Sequence, residues 1–236
     1  MLLFNLVLIF LVFLIIKMII IHNYKKNIII NTFSNNLIIN LNNPIINLND
    51  DVVIFDNFYN IDTFNKIKDY CDPLKFKEDS RLKSRKTLCL SQNKHQPLYD
   101  LIYNQQLIDY IKNLTNKNLI NPTFPIEYRI YPENSTGMNM HKDIALYNGI
   151  YYECVLTLEN TSDSEFVFKD NSDNNHNNIK SMKTKANTLV LVTPNSILHG
   201  VTKLNYGYRK ILKFIVMFNN NKPTILYSRN LNMCPF

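Results

Sequence analysis

Beyond Pro125 the chain reads as a succession of short strands broken by turns, and that pattern narrows its fold more than any other feature. Strands are expected at Ile126–Tyr131, Gly149–Glu159, Glu165–Lys169, Thr188–Val192 and Arg209–Phe218, each rich in β-branched or aromatic residues. Ahead of them Val52–Phe55 reads as one more short strand. Tyr59 to Tyr70 carries Ile61, Phe64, Ile67 and Tyr70 at helical spacing, with Asp62 as the expected cap and Cys71-Asp72-Pro73 as the stop. A second helix is expected from about Gln96 to Leu114, with Leu98, Leu101, Ile102, Ile108 and Ile111 turned inward. Helices covering one side of a run of antiparallel strands predict an α+β, mainly β domain: a sandwich or barrel of jelly-roll type.

The strand-rich part is preceded by a different kind of text. Leu2 to Ile21 is apolar except for Asn5 and Lys17, and twenty helical residues span roughly 30 Å, the thickness of a bilayer core. Neither a basic leader nor a small-residue cleavage site accompanies it, so residues 1–22 are expected to form a single transmembrane helix; a signal peptide and a buried helix are the alternatives. Residues 23–50 alternate Ile and Leu with Asn and read as a tether, with room for an edge strand, and residues 51–236 as one domain. His22, Lys25 and Lys26 follow the span, which by the positive-inside rule points the domain toward the cytoplasm.

Composition removes several function classes. The 37 Asn make glycosylation sequons arise by chance, so those at Asn113, Asn134 and Asn160 say nothing about secretion. The formal net charge is +7, but Lys and Arg are scattered apart from short groups such as Arg81 to Lys86, which disfavours nucleic acid as a partner. That basic group reads most simply as a solvated run. Four Cys without C-x-x-C spacing exclude a zinc ribbon or a dithiol redox site; Cys154, inside an apolar run, reads as a buried thiol, and the pairing of the others stays open. Gly-rich phosphate loops are absent.

The chemistry is carried by a few residues in the second half. His141 and Asp143 stand two apart, so in an extended segment both side chains face one way and can reach one ion. His199 follows a hydrophobic strand and a Pro-Asn turn, which brings it out at a strand mouth as the third ligand. Two imidazoles and one carboxylate on a single side of a metal leave positions open, the facial arrangement of non-haem Fe(II) oxygenases. Arg209, ten residues after His199 across a turn, is expected to return a guanidinium to the same cavity, suited to a bidentate grip on a carboxylate. His95 and His176 fit this scheme less well.

Taken in order, Asp51 to Phe58, Tyr131-Pro132 through His141-x-Asp143, and Leu198-His199-Gly200-Val201 followed by Gly207-Tyr208-Arg209 resemble the 2-oxoglutarate/Fe(II)-dependent dioxygenase superfamily, and within it the prolyl 4-hydroxylase-like group. The resemblance implies a double-stranded β-helix; Fe(II) on His141, Asp143 and His199; 2-oxoglutarate held by Arg209 and Tyr131; and O2 and ascorbate as further requirements. It implies oxidative decarboxylation of 2-oxoglutarate coupled to hydroxylation of a peptide or protein side chain, proline before lysine, and placement in the endoplasmic reticulum, against the charge rule above. Arg209 stands where collagen-type prolyl hydroxylases carry lysine, and the stretch from Tyr131 to His141 is one residue longer than in the group.

Plainer readings stand beside these. His141 and Asp143 also fit a surface turn, His199 a core histidine, Arg209 a structural ion pair, and Tyr131 an ordinary core aromatic. A tethered, non-catalytic jelly-roll binding protein and a nucleic-acid demethylase of the same superfamily are the competing functions. The second is disfavoured because the next arginine after Arg209 is Arg229, not one six residues on.

Overall fold

The computed structural model describes residues 45–47, 52–76, 84–115, 119–120, 122–149, 151–169, 179–218, 221–232 and 234. The expected anchor, residues 1–22, and most of the tether lie outside the described residues. Among the described residues no helix is long and apolar enough to cross a membrane.

The strands are β1 Ile45–Asn47, β2 Val52–Phe55, β3 Lys86–Leu90, β4 Leu119–Ile120, β5 Ile126–Tyr131, β6 Met138–His141, β7 Tyr151–Asn160, β8 Phe166–Lys169, β9 Ile179–Met182, β10 Leu189–Val192, β11 His199–Val201 and β12 Arg209–Phe218. They form a larger sheet in the order β1-β2-β10-β7-β12-β5-β3, with β4 on the end of β12, and a smaller sheet in the order β6-β11-β8-β9. From β5 onward the chain passes repeatedly from one sheet to the other, all neighbours are antiparallel, and the result is a double-stranded β-helix. β1, in the Asn/Ile-rich stretch, is the edge strand of the larger sheet.

The sheet has two unlike faces, and β12 shows why. Leu212, Phe214, Val216 and Phe218 join Phe64, Ile67, Leu98, Ile102 and Leu107 in one core under the helices. The alternate residues Arg209, Ile211, Lys213, Ile215 and Met217 face the space between the sheets. A strand covered on both faces reads as a nearly continuous apolar run, so the two charges on its inner face stand out. Each fully buried Leu, Ile or Phe of the helical core contributes roughly 1.5–3 kcal/mol.

The helices α1 Ile61–Cys71, α2 Gln92–Ile102 and α3 Gln105–Thr115 depart from expectation in two places. The side chain of Asn60, not Asp62, caps α1 by accepting from the Thr63 amide at 2.9 Å, which leaves Ile61 in the first turn and 65% exposed. The single helix expected from Gln96 to Leu114 is two helices. Asn104 accepts from the Leu107 amide at 3.0 Å and caps a fresh helix, so Leu107 takes the buried place expected of Ile108. α2 starts earlier, at Gln92, and loses helical geometry at His95, two residues before Pro97.

The C-terminal helix α4, Ile225–Asn232, packs Tyr227 and Leu231 against Phe124, Tyr147 and Tyr151. Just beyond it Cys234 is disulfide-bonded to Cys89 of β3, 145 residues away in sequence. Cys71 and Cys154 are buried and free.

Candidate active site

The two histidines are brought together by strand pairing. His141 ends β6, His199 begins β11, and their Cα atoms are direct partners across the smaller sheet. Val201, two residues after His199, pairs with Met138, three residues before His141, so β6 carries a bulge between them. The extra residue lets Met138 and His141 face the same cavity although they stand an odd number of positions apart. Two glycines permit this approach. Gly137 has φ +70°, and a Cβ there would meet the Val201 carbonyl oxygen at 2.3 Å; one on Gly200 would lie 2.5 Å from the Met138 oxygen.

Asp143 lies two residues past His141, beyond the strand end, and its carboxylate sits between both imidazoles. His199 Nε2 is 3.2 Å from Oδ2 and His141 Nε2 is 3.6 Å from Oδ1, with the ring centroids 4.6 Å apart. Each Nδ1 is occupied by a backbone carbonyl: Asn139 for His141 at 2.8 Å and Ile197 for His199 at 3.3 Å. A ring that donates through Nδ1 presents an Nε2 lone pair to a common point. His199 and Asp143 are buried, whereas His141 is partly open to the cavity.

Lys213, which the sequence reading passed over, completes the charge pattern. Its ammonium lies 3.1 Å from Asp143 Oδ1 and also contacts Glu153 Oε2. Burial works against the charged lysine, but Glu153 and Asp143 outweigh it and raise its pKa. Burial likewise opposes the Asp143 carboxylate, yet Lys213 and the two imidazoles hold it far below the usual carboxyl range. Burial lifts Glu153 to about 7 against the pull of Lys213. The hydrogen bond to Asp143 raises the pKa of His141. The only hint of Lys213 in the sequence is its place four residues after Arg209 on the same face of a strand.

Arg209 is 1% exposed at the start of β12, opposite Tyr131 of β5 in the pairing register. Its Nε and Nη1 are buried without a hydrogen-bond partner, and burial lowers its pKa. Tyr131 is equally buried, and its hydroxyl is 4.0 Å from Met138 Sδ. Neither residue lies on the wall of the open cavity beside the triad.

That cavity, of about 350 Å3, is lined by His141, Asp143, Lys213 and Glu153 together with Arg85, Glu127, Arg129 and Met138. Arg85 belongs to the basic group read as solvated; the structure places it half-buried on the cavity wall, whereas Lys86 is exposed. The strand β3 begins just after Arg85, so alternation along the strand separates these neighbours. Of the remaining histidines, the His95 ring pairs with the Tyr70 hydroxyl at 3.1 Å, far from this chemistry, and His176 lies outside the described residues.

The donor set fits a divalent transition metal. The two Nε2 atoms and one carboxylate oxygen all lie within 4.8 Å of one another. They approach from one side and leave the cavity side open, as a facial triad requires. A second cluster of possible donors, Cys89, Glu127 and Cys234, has its sulfurs joined to each other.

No protein-family model matches this sequence, and no curated protein is significantly similar to it. Solved structures do match. An oxidoreductase of the 2OG-Fe(II) oxygenase family from Burkholderia pseudomallei superposes with a TM-score of 0.58 at 12% identity, covering 73% of this chain and 86% of that one. HygX from Streptomyces hygroscopicus, solved with nickel and 2-oxoglutarate bound, gives 0.57 at 10% identity, with 72% and 83% covered. A prolyl hydroxylase from Trichoplax adhaerens, in complex with a peptide fragment of the hypoxia inducible factor oxygen degradation domain, gives 0.55 at 13% identity, with 91% and 96% covered.

Proposed function

We propose that this chain, which has the fold of the 2-oxoglutarate/Fe(II) oxygenases, is a dioxygenase of that chemistry acting on a peptidyl side chain, with proline the favoured residue. The observation that carries the reading is the convergence of two carbonyl-oriented imidazoles and one carboxylate on a single point at a cavity wall. His141, Asp143 and His199 hold the iron. Bound together, Fe(II), 2-oxoglutarate and O2 supply oxidative decarboxylation to succinate and CO2, coupled to hydroxylation of a substrate C–H.

This chain's own groups do the positioning. Arg209, a buried guanidinium with two unpartnered nitrogens, takes the far carboxylate of 2-oxoglutarate beside Tyr131. Lys213 fixes the rotation of the Asp143 carboxylate through Oδ1, leaving Oδ2 toward His199.

The choice of a peptide rests on the prolyl hydroxylase neighbour, which is matched over nearly its whole length and was solved with a peptide. Placement in an oxidising lumen such as the endoplasmic reticulum is favoured by the Cys89–Cys234 disulfide over a charge bias of two or three residues, while the N-terminal membrane anchor rests on the apolar run of residues 2–21 alone. Ascorbate follows from resemblance alone and is tested by leaving it out.

The deciding experiment is succinate release from 2-oxoglutarate over a panel of proline-rich, collagen-like and lysine peptides. Release that needs Fe(II) and disappears in His199→Ala is expected. Release unaffected by that substitution, or none with any peptide or without one, removes the proposal.

A further inference from the structure

We infer that Arg85 is an anion-binding residue of the substrate site, and that the cavity takes a peptide bearing a carboxylate roughly two or three residues from the residue that is oxidised. The inference rests on the reading that this cavity holds an oxidisable peptide, and it adds which peptides are preferred.

The cations around the cavity differ in what holds them. Arg129 is paired with Glu127 at 2.5 Å, and Lys213 with Asp143 and Glu153. Lys142 stands exposed at the rim. Arg209 lies beside Tyr131, off the cavity wall. Arg85 alone, among the described residues of the wall, is a partly buried cation without a carboxylate partner. Its Nε is buried and unbonded; the guanidinium also meets the Tyr131 hydroxyl, and its Nη1 faces the thioether sulfur of Met138 at 2.9 Å. Thioether sulfur is a weak acceptor, so this contact offsets little of the desolvation of a guanidinium. Burial and the nearby Arg129 disfavour the charge more than Tyr131 and Glu127 favour it, and Glu127 is already engaged by Arg129.

A cation held this way at a cavity wall is satisfied when an anion enters. The planar fork favours a carboxylate or a phosphate. Glu127 and Glu153 line the same cavity but are already paired with Arg129 and Lys213, so the single negative charge of a carboxylate is enough to match the one guanidinium left over. Position follows from the strand. Arg85 touches Met138, three residues before His141 along the bulged β6, so roughly 7–10 Å separate the guanidinium from the metal-binding end. An extended peptide covers that span in roughly two or three residues. An acidic side chain at this distance from proline therefore seats on Arg85 while the proline faces the triad.

The test uses the full chain loaded with Mn(II) and 2-oxoglutarate without oxygen, and measures binding of extended peptides with a single proline. A Glu is placed at successive distances on either side of the proline, with Gln and phosphoserine counterparts. A preference of about tenfold for Glu over Gln, peaking at the predicted spacing, is expected. It should vanish in Arg85→Gln and be partly kept in Arg85→Lys, with metal and 2-oxoglutarate affinities unchanged. Equal binding of Glu and Gln peptides to the unaltered protein overturns the inference without any variant having to fold. So do a preference that survives Arg85→Gln, a variant that loses 2-oxoglutarate instead of peptide, and a phosphoserine peptide that binds best. Because binding is read without turnover, a Glu preference in a protein that releases no succinate leaves Arg85 as the anion-binding residue of a peptide site and removes the enzymatic reading alone.

Discussion

His199 stands directly opposite His141, Cα partner to Cα partner across β6 and β11, so that two residues 58 positions apart present their rings 4.6 Å from each other. The metal site is therefore set by sheet register. A one-residue slip of β11 against β6 would send His199 to the other side of the sheet.

Replacing His141, Asp143 or His199 by alanine should abolish iron-dependent succinate release. It should also weaken Mn(II) or Ni(II) binding by more than the roughly 10–100-fold that loss of an outer partner costs. Calorimetry on each variant, with circular dichroism to verify the fold, measures this. Metal affinity retained in any of the three removes that residue from the ligand set.

Arg209→Met should separate two quantities. A buried guanidinium with two unbonded nitrogens is unfavourable in the free protein, so the variant is expected to melt no lower than the original without ligand. The gain in melting temperature on adding 2-oxoglutarate, present in the original, should be absent in the variant. The requirement for 2-oxoglutarate should rise by roughly ten- to a hundredfold, the worth of a hydrogen bond to a charged group. A normal requirement would assign the co-substrate to another cation.

How much of this was visible in the sequence follows from distance along the chain. The pair His141 and Asp143 is local, and Arg209 follows His199 by only ten residues across a turn, so these groups stand out. Arg85 did not, because its neighbours Arg81, Lys83 and Lys86 give it the look of a solvated run; only the pairing of β3 with β5 turns it inward. β6, reading Met-Asn-Met-His, is only four residues long, too short for its alternation to stand out, and its bulge has no composition signal. The break between α2 and α3 was hidden because Tyr103-Asn104 interrupts an apolar period without Gly or Pro. Cys89 and Cys234 lie 145 residues apart, and spacing alone cannot choose their partner.

Lys213→Met should be strongly destabilising, since it leaves Glu153 buried without its counter-charge; roughly 3–5 kcal/mol is the usual consequence of breaking such a pair from one side. The double variant Lys213→Met with Glu153→Gln should recover much of that loss. Metal affinity should stay below that of the original, because the Asp143 carboxylate has lost its Oδ1 partner. Urea unfolding and metal titration of the cycle decide it. Full recovery of metal binding in the double variant would show that Lys213 serves stability alone.

Cys89→Ser, or reduction of the disulfide, should lower stability by about 2–4 kcal/mol, because the bond closes a long loop in the unfolded chain. It should also free the segment after α4 from β3 while the β-helix stays folded. Thermal melts with and without reductant measure the first effect, and hydrogen exchange in α4 the second. Identical melts would mean that the two thiols are not joined in the protein under those conditions.

Asp72 gives the molecule a defined acid sensitivity away from the active site. It follows the last residue of α1 and is shared by Lys68 and Lys210, each at 2.9 Å, while Lys210 also reaches Glu159 of β7 at 3.3 Å, so helix and sheet are joined by charge. Burial pushes the Asp72 carboxyl up, but the two lysines outweigh it and hold the pKa below its usual value. A depressed folded-state pKa means that the stabilisation is fully present above the unfolded value, about 3.9, and is lost as pH falls through the folded one. The group is about one-third exposed, so screening limits its worth to roughly 0.2–1 kcal/mol. Asp72→Asn should thus be less stable than the original at neutral pH by that amount. The two urea curves should converge as the pH drops below about 4, and converge at neutral pH in about 1 M salt. A gap that stays constant from neutral to acid pH would show that the charge of Asp72 is not what stabilises this contact.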